Sequence, residues 1–394
     1  MLRVAFLIPS LVAHGAERQL LELVRGLDPA RYEVHVIVFY GPPEGGRQDG
    51  GDLWPEALAM PAVRWHCLHK RRGLLGNLAL LPRLLRLLRR LRPDLLHGYM
   101  DANLPALLAG KLLRLPVAWG IRRASADLGL LDRRSRRLLR LTAALSPRVD
   151  LVVFNSEAGL QAYAAMGFRA RRMLVVPNGF DLDRFRPDPA AGAAQRAAWD
   201  VPPDAPLVGL VGRLAPVKGH GVFLRAAAKV AARMPEAWFV CIGGGEGAFR
   251  EALQAEAVAL GLGDRLLWAG PCGDMPAAYN ALSALALASW DEGFPNVLGE
   301  AMACGIPCAA TRAGDAERLL GGAGPSVAPG DADGLAEALL GLLSEDPAAR
   351  AARGTASRAR IQAQFAAEAL ALRTGPALEA LLPAPAAPPS PAGA

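Results

Sequence analysis

Lysine and cysteine are both scarce in this chain of 394 residues. Four of the 44 basic residues are lysine, and they are Lys70, Lys111, Lys218 and Lys229. The other basic residues are arginine among long Ala and Leu runs, as is typical of a G+C-rich genome, so richness in arginine alone indicates little about function. Five cysteines, an odd and small number, argue against a disulfide framework and for a reducing compartment. Cys304 and Cys308 could form a metal pair, but no histidine or second cysteine pair lies near them, so we expect buried, inert thiols.

Long apolar runs and targeting signals are also missing. No uncharged apolar run reaches about 18 residues, which argues against a membrane-spanning helix. The first ten residues lack a small-residue cleavage site, so they predict a first strand and not a signal peptide. These features predict a cytoplasmic protein.

Several binding motifs are absent from the sequence. There is no zinc finger, RNP box or basic-region heptad, so nucleic acid ranks last among the partners. The P-loop pattern GxxxxGK[ST] is missing, and the missing G-x-G-x-x-G fingerprint is the main argument against an NAD-dependent dehydrogenase.

Length and charge distribution predict two domains, or at most three, with different partners. The chain is 52% hydrophobic and 21% charged, which suits large packed cores. Residues 1–180 hold 27 Lys and Arg against 14 Asp and Glu, a net charge of +13, whereas residues 181–394 hold 17 against 23, a net charge of −6. A basic first half can attract an anionic membrane surface or a phosphorylated substrate.

Short apolar runs alternate with longer segments of helical period, the pattern of parallel sheets covered by helices. The runs predict two series of strands: 4–8, 34–40, 94–97, 116–121, 151–155 and 173–176, then 207–211, 238–243, 266–268, 284–288 and 306–310. We therefore expect an α/β protein with an N-terminal domain over residues 1–177 and a C-terminal domain over residues 178–374. The turn-rich segment that starts at Pro177 links them, the last helices can pack back on the N-terminal domain, and residues 383–394 form a disordered tail.

Residues 71–92 predict a basic amphipathic helix, with Leu at helical spacing and Arg83, Arg86, Arg89 and Arg90 on the opposite side. A second basic cluster lies at Arg133–Arg137. Two interpretations stay open: a covering helix with a solvated arginine face, or attachment to anionic lipid.

Two segments of the second half indicate anion and sugar chemistry. Arg213 and Lys218 follow the strand at 207–211, where α/β sheets bind ligands, and together can clamp a diphosphate; the alternative is a solvated basic loop. Further along, the run from Asp291 to Pro307 predicts a loop carrying Glu292 and a helix carrying Glu300. Backbone N–H groups at Phe294 to Leu298 would then be free, at a helix N-terminus, to bind phosphate or sugar oxygens.

These motifs resemble glycosyltransferase family 4. The resemblance rests on EGFPNVLGEAMACGIP, on GRLAPVKG, on a GAERQL loop, on VVFNSEAG at 152–159 and on VVPNGFDLDRFRPD at 175–188, with IGGG at 242–245. It implies two Rossmann-like domains facing across a cleft (the GT-B architecture), and is nearest to bacterial members that assemble polysaccharides or lipid-linked sugars.

The resemblance also implies roles for individual residues. Arg213 and Lys218 would hold the donor diphosphate, Glu300 the ribose hydroxyls, and Glu292 the donor sugar. Gly15 would approach the phosphate from the opposite domain. The remaining donor-side residues are Gly243, Gly293, Phe294, Pro295, Asn296, Val297 and Leu298; the acceptor-side residues are His97, Tyr99, Arg122 and Arg123. His14 replaces a glycine common in the family, and His97-Gly98-Tyr99 replaces His-x-His, so His97 can be catalytic or structural.

The expected function is therefore a retaining glycosyltransferase in polysaccharide or cell-envelope biosynthesis. It would use a nucleotide diphosphate sugar and a glycan or polyprenyl-linked acceptor held by the N-terminal domain. Fixed cations make a bound metal dispensable, so no cofactor is expected. A sugar phosphorylase, a nucleotide-sugar epimerase or a non-catalytic sugar-nucleotide-binding paralogue are the alternatives on this fold.

Overall fold

The structure is a computed structural model that describes residues 1–12, 15–42, 53–122 and 133–382. His14, Arg123 and the predicted disordered tail lie outside the described residues. Within the described part, thirteen strands form two sheets, and every strand pair is parallel.

The first sheet has seven strands in the order β3-β2-β1-β4-β5-β6-β7. Their bounds are β1 Leu2–Ile8, β2 Tyr32–Val38, β3 Val63–Cys67, β4 Leu95–Tyr99, β5 Val117–Ile121, β6 Leu151–Phe154 and β7 Met173–Val175. The second sheet has six strands in the order β10-β9-β8-β11-β12-β13. Their bounds are β8 Leu207–Val211, β9 Trp238–Ile242, β10 Leu266–Gly270, β11 Ala284–Leu287, β12 Cys308–Thr311 and β13 Ser326–Val327.

Helices cover both sheets. Those between the strands of the first sheet are α1 Gly15–Gly26, α2 Trp54–Leu58, α3 Leu74–Leu91, α4 Asn103–Leu113, α5 Arg133–Leu145 and α6 Glu157–Ala165. The rest are α7 Pro189–Ala198, α8 His220–Arg233, α9 Ala248–Ala259, α10 Met275–Asn280, α11 Asn296–Ala303, α12 Ala316–Leu320, α13 Ala332–Leu343, α14 Pro347–Gln364 and α15 Ala367–Glu379.

The predicted α/β class with two parallel-sheet domains is confirmed. Central strands such as β1 and β8 are buried on both faces, which is why they read as continuous apolar runs. Strand β3 is missing from the prediction because Arg64 and His66 interrupt its apolar pattern at the sheet edge. Strand β13 is also missing, because it has only two residues. The strand predicted at 306–310 instead begins at Cys308, directly after Pro307, whose ring removes a backbone donor.

The polypeptide crosses between the two domains twice, at neighbouring positions. Phe180 and Ala366 form an isolated parallel bridge. The first crossing is anchored to α1 by the Gln19 amide, which donates to the Gly179 carbonyl and accepts from the Gly179 N–H, each at 2.8 Å. Helix α15 then returns to pack on α1. The carboxyl ends of both sheets therefore face each other near this double crossing.

Helix α3 confirms the predicted amphipathic pattern. Leu84 and Leu88 are buried against the first sheet, whereas the four arginines predicted on the other side are exposed. Leu74, Leu75 and Leu78 are also exposed, by 74%, 82% and 65%, so the first turns of α3 present apolar side chains to solvent. None of the described helices combines the length and hydropathy that a membrane span requires.

All five cysteines are free thiols. Cys241, Cys304 and Cys308 are buried, as expected for inert thiols, but Cys67 and Cys272 are partly exposed. Those two are accessible because Cys67 lies in the edge strand β3 and Cys272 follows the edge strand β10.

Candidate active site

The loop after β8 presents Arg213 and Lys218 at the carboxyl end of the second sheet. A short 3₁₀ turn at Pro216–Lys218 leads into α8 through Gly219, whose φ is +67°. A Cβ atom on Gly219 would lie 1.9 Å from the Ala288 carbonyl oxygen, so only glycine lets this loop lie so close to the end of β11. The Arg213 side chain is exposed, and it makes no hydrogen bond or ion pair within the described part of the chain.

Lys218 and Glu292 form an ion pair with each other. The Lys218 Nζ lies 2.6 Å from Glu292 Oε1, and the Ser289 hydroxyl donates to the same oxygen at 2.7 Å. Glu292 is 8% exposed. No described residue donates to the second carboxylate oxygen, Oε2. The lysine keeps two further N–H donors, so the pair offers both donors and an acceptor to a ligand.

The helix that follows, α11, begins where the sequence places it. Pro295 is its N-cap residue and supplies no side-chain cap, so the N–H groups of Asn296 and Val297 have no acceptor within the helix. The prediction of free N–H groups from Phe294 to Leu298 is wrong at two positions. Pro295 has no N–H, and the Leu298 N–H donates to the Pro295 carbonyl at 3.1 Å.

Glu300 lies one turn into α11 and is held by Tyr279. The Tyr279 hydroxyl donates to Glu300 Oε2 at 2.7 Å. Burial raises the pKa of Glu300, and the Tyr279 hydrogen bond and the nearby positive charges of Arg18 and Arg184 act against that rise. Glu300 Oε1 accepts no hydrogen bond from any residue that the structure describes, so this carboxylate has an acceptor available for a ligand.

A chain of polar contacts joins the two domains across the cleft. Arg122, at the end of β5, donates to the Asn178 side-chain oxygen at 2.8 Å, and its guanidinium lies over the Tyr99 ring at 5.5 Å. The Asn178 amide donates to the Asn296 side-chain oxygen at 2.6 Å. A Cβ atom on Gly15 would lie 2.8 Å from Asn296 Nδ2, so the first residue of α1 in the N-terminal domain lies against the N-terminus of α11.

His97 is buried beneath this contact chain. Its ring lies 4.7 Å from the Tyr99 ring and 5.4 Å from the Phe6 ring, and neither ring nitrogen has a hydrogen-bond partner. Burial, and to a smaller extent the charge of Arg122, lowers the pKa of His97 to about 3, so the imidazole is neutral at neutral pH. Its role on the acceptor side stays a prediction.

The remaining predicted donor residues occupy supporting positions. Gly243 has a φ of +145°, and a Cβ atom there would lie 2.1 Å from the Gly212 carbonyl oxygen, so Gly243 packs beneath the Arg213 loop. The Phe294 ring packs against Phe180 and Phe365 at the double crossing. The Gly293 carbonyl accepts from Asp315 N at 2.9 Å.

A substitution at Gly299 tests the packing of α11 directly. A Cβ atom on Gly299 would lie 2.0 Å from the Phe180 ring. We expect Gly299→Ala to lower the free energy of unfolding by about 1–3 kcal/mol, because the buried ring of Phe180 has no room to move. Urea unfolding measures the change. The matched control is Gly341→Ala in α13, where no atom lies within 4 Å and alanine should stabilise the helix by about 0.5–1 kcal/mol. Equal stability of the two variants would contradict the packing described here.

Several residues of this site were missed by sequence reasoning. They are Ser289, Tyr279, Asn178 and Arg18, all of which contact or face a predicted residue. Asn178 lies in the PNG segment, which predicts a linker and carries part of the family resemblance, with no role assigned to Asn178. A polar residue between Pro177 and Gly179 was the available signal. In the first turn of α1, burial raises the pKa of Glu17 to about 7.

Solved structures show which class this architecture defines. The fold is similar to that of Anabaena HepE, solved with UDP and glucose, at a TM-score of 0.82 and 24% identity, covering 96% of this chain and 100% of that one. Sucrose-phosphate synthase of Thermosynechococcus elongatus is similar at a TM-score of 0.77 and 23% identity, covering 97% and 99% of the two chains. The fold is therefore that of GT-B glycosyltransferases.

Sequence comparison identifies the family. Residues 13–184 match the family model for Glycosyltransferase Family 4, and residues 205–345 match the one for Glycosyl transferases group 1. The lipopolysaccharide core biosynthesis mannosyltransferase LpcC of Rhizobium leguminosarum is 32% identical over 253 residues, which is 63% of this chain and 69% of that protein. The chain belongs to glycosyltransferase family 4.

Other relatives match over a shorter part of their length. The GDP-mannose-dependent alpha-(1-6)-phosphatidylinositol monomannoside mannosyltransferase of Mycolicibacterium smegmatis is 34% identical over 220 residues, 53% of this chain. The alignment spans 56% of that relative, and 50% of a D-inositol 3-phosphate glycosyltransferase from Mycobacterium avium. This chain thus aligns with about half the length of these mycobacterial relatives.

Proposed function

We propose that this glycosyltransferase moves a hexose from a nucleoside diphosphate sugar to a glycan or lipid-linked acceptor, with retention of anomeric configuration and without a metal ion. The observation that carries the proposal is the ion pair of Lys218 with Glu292, four residues before α11 begins. Arg213 lies in the same loop as Lys218 and has no hydrogen bond or ion pair in the described part of the chain. Relatives whose names specify GDP-mannose and a structure solved with UDP support a nucleotide sugar as donor.

The chemistry follows from the charges at this site. When the nucleoside diphosphate departs, negative charge develops on its oxygens, and fixed cations stabilise that charge more in the transition state than in the ground state. All the N–H donors of the Arg213 guanidinium are available to a ligand, and the Lys218 ammonium keeps two N–H donors beyond its bond to Glu292. Glu292 Oε2, in the loop before α11, then orients a sugar hydroxyl, while Glu300, about one turn into α11, accepts ribose hydroxyls.

A donor screen tests this proposal. Thermal shift against nucleoside diphosphates and nucleotide sugars should find one base that raises the melting temperature in EDTA, because binding to the native state alone stabilises it. The donor found is then assayed for transfer to polyprenyl-diphosphate sugars. Transfer to inorganic phosphate would instead identify a phosphorylase. Isomerisation of the sugar without release of the nucleotide would identify an epimerase, and binding without turnover would identify a non-catalytic paralogue.

The N-terminal domain offers a surface for a lipid-linked acceptor. Helices α3, α4 and α5 share one apolar cluster on the same face of the first sheet. Their outer side carries exposed arginines, together with the exposed apolar side chains Leu74, Leu75 and Leu78 of α3. Apolar side chains that enter the headgroup region beside basic ones are the features of interfacial attachment. We include peripheral binding to an anionic membrane in the proposal on this ground.

Liposome sedimentation measures this attachment. We expect binding to anionic vesicles at low salt, weaker binding at high salt, and little binding to neutral vesicles. Changing Arg86, Arg89 and Arg90 together to alanine should weaken binding roughly a hundredfold, since each basic residue at an anionic surface contributes about 1 kcal/mol.

The control removes the same charge from the other domain, by changing Arg225, Arg233 and Arg250 to alanine. Equal, negligible binding of the wild type to both vesicle types would exclude membrane attachment. Equal loss in both triple variants would show that net charge, and not the surface of α3, governs binding.

A further inference from the structure

The Asp315 carboxylate links the two domains by accepting hydrogen bonds from the backbone of the other domain. It lies in the C-terminal domain, between β12 and α12, and is 4% exposed. Its two oxygens accept from the backbone N–H groups of Glu157 and Ala158, each at 3.0 Å. Those two residues begin α6 of the N-terminal domain, and they lie 158 and 157 positions earlier in the chain.

This contact completes the N-terminus of α6. Ser156, its N-cap residue, accepts only from the Gly159 N–H, at 3.0 Å. The first three N–H groups of a helix have no partner within it, so Glu157 and Ala158 depend on Asp315 for theirs. If the domains separate, both N–H groups and the carboxylate lose these partners at once.

Other capping aspartates of the C-terminal domain act differently. Asp188, Asp274, Asp331 and Asp346 each precede a helix and accept from an N–H of that same helix. Asp315 precedes α12 in the same way, but its side chain makes no cap there. The described donors to its carboxylate are the two N–H groups of the other domain and the Arg318 guanidinium, which donates to Oδ2 at 3.1 Å.

The same short loop is fastened to the loop that carries Glu292. The Asp315 N–H donates to the Gly293 carbonyl at 2.9 Å. Gly314 has a φ of +55°, and a Cβ atom there would lie 1.9 Å from the Glu292 carbonyl oxygen, so the two loops pack backbone against backbone. A displacement of Asp315 therefore moves the backbone at the Glu292 and Gly293 carbonyls, directly after the Glu292 side chain.

We infer that Asp315 is a positioning residue that couples closure of the two domains to the placement of Glu292; this inference rests on the proposed function of that site. Docking of α6 satisfies the carboxylate, and the fixed carboxylate holds Gly293 and Glu292 in the arrangement described above. The acceptor domain thereby sets the geometry of the donor loop. Opening the cleft releases the loop that carries Glu292.

Kinetics and scattering test this coupling with matched variants. Asp315→Ala should lower kcat about tenfold or more, because small displacements of a reacting group are costly, while the affinity for nucleoside diphosphate stays within about twofold. Asp315→Asn keeps one acceptor oxygen, so its kcat should lie between those of the wild type and Asp315→Ala. This variant replaces Asp315→Ala in the test if the alanine variant does not fold. Asp331→Ala removes a cap within the C-terminal domain and should leave kcat within about twofold. Wild-type kcat in a folded Asp315→Ala would overturn the inference, as would an equal loss of kcat in both alanine variants.

Small-angle scattering separates this inference from the proposed function, because it needs no turnover. Asp315→Ala should have a larger radius of gyration than wild type and Asp331→Ala, through a shift toward open domains. If scattering shows this opening while no variant transfers sugar from any donor, the proposed function fails and closure through Asp315 stands. An unchanged radius of gyration in Asp315→Ala would overturn the inference even if the enzyme transfers sugar.

Discussion

Lys218→Ala is expected to lower kcat by about a hundredfold or more while the protein remains folded. Removing one preorganised group that stabilises developing charge has an effect on this scale. Lys218 lies 2.6 Å from Glu292, so its loss also leaves a carboxylate that is 8% exposed with Ser289 as its only described partner. The variant should therefore lose both the proposed donor to the diphosphate and the alignment of Glu292.

Arg213→Ala separates these two effects. Arg213 makes no hydrogen bond or ion pair with Glu292 or any other described residue, so its replacement removes the charge that we propose faces the diphosphate and breaks no such bond. We expect a loss of about a hundredfold here too.

The control for both is Lys229→Ala, which breaks a surface ion pair with Asp333 on α13 and should leave kcat unchanged. Steady-state release of nucleoside diphosphate measures kcat, and thermal denaturation checks folding. Near-normal kcat in both Lys218→Ala and Arg213→Ala, at unchanged stability, would remove these residues from the mechanism.

Glu300→Gln is expected to weaken binding of the free nucleoside diphosphate by about 1–2 kcal/mol, or roughly tenfold. A carboxylate accepts hydroxyl hydrogen bonds more strongly than an amide does. Glu292→Gln should instead impair transfer and leave nucleotide affinity nearly intact, because Glu292 is proposed to contact the sugar. Titration calorimetry with the free nucleotide measures both affinities.

The pH dependence gives an independent test of Glu300. Burial raises its pKa, so the carboxylate that we propose binds ribose is present above that raised pKa and is lost as the pH falls through it. The affinity of the wild type should fall with pH in that window, and that of Glu300→Gln should not show the same step. Equal loss of nucleotide affinity in Glu292→Gln and Glu300→Gln would refute the division of roles between sugar and ribose.

Much of the fold could be predicted because parallel strands buried on both faces leave a plain sequence signal. The run at 207–211 predicts β8 at its true bounds, and the Pro and Gly residues around Asn296 mark the start of α11. Local sequence patterns are enough to predict these two elements. Local sequence patterns fail for β3. This strand lies at the edge of its sheet and is only partly buried, so it contains Arg64 and His66. Its place at the edge depends on neighbouring strands that are distant in sequence.

The site could be predicted only in part for the same reason. The residues that bear charge, Lys218, Glu292 and Glu300, lie in recognisable local motifs. The contacts that position them join distant segments: Asn178 with Asn296 are 118 residues apart, and Asp315 with Glu157 are 158 apart. Such pairs carry no periodicity or spacing. Nor does the sequence indicate that Lys218 and Glu292 pair with each other.

Analysis of the reaction products tests the central claim most directly. The protein is incubated in EDTA with the nucleotide sugar found by thermal shift and a polyprenyl-linked acceptor, and proton NMR follows the products. The account predicts equal amounts of nucleoside diphosphate and new glycoside, with the anomeric configuration of the donor kept in the glycoside, and almost none of either with Lys218→Ala. Turnover that requires added metal, a product of inverted configuration, or equal turnover by wild type and Lys218→Ala would contradict it.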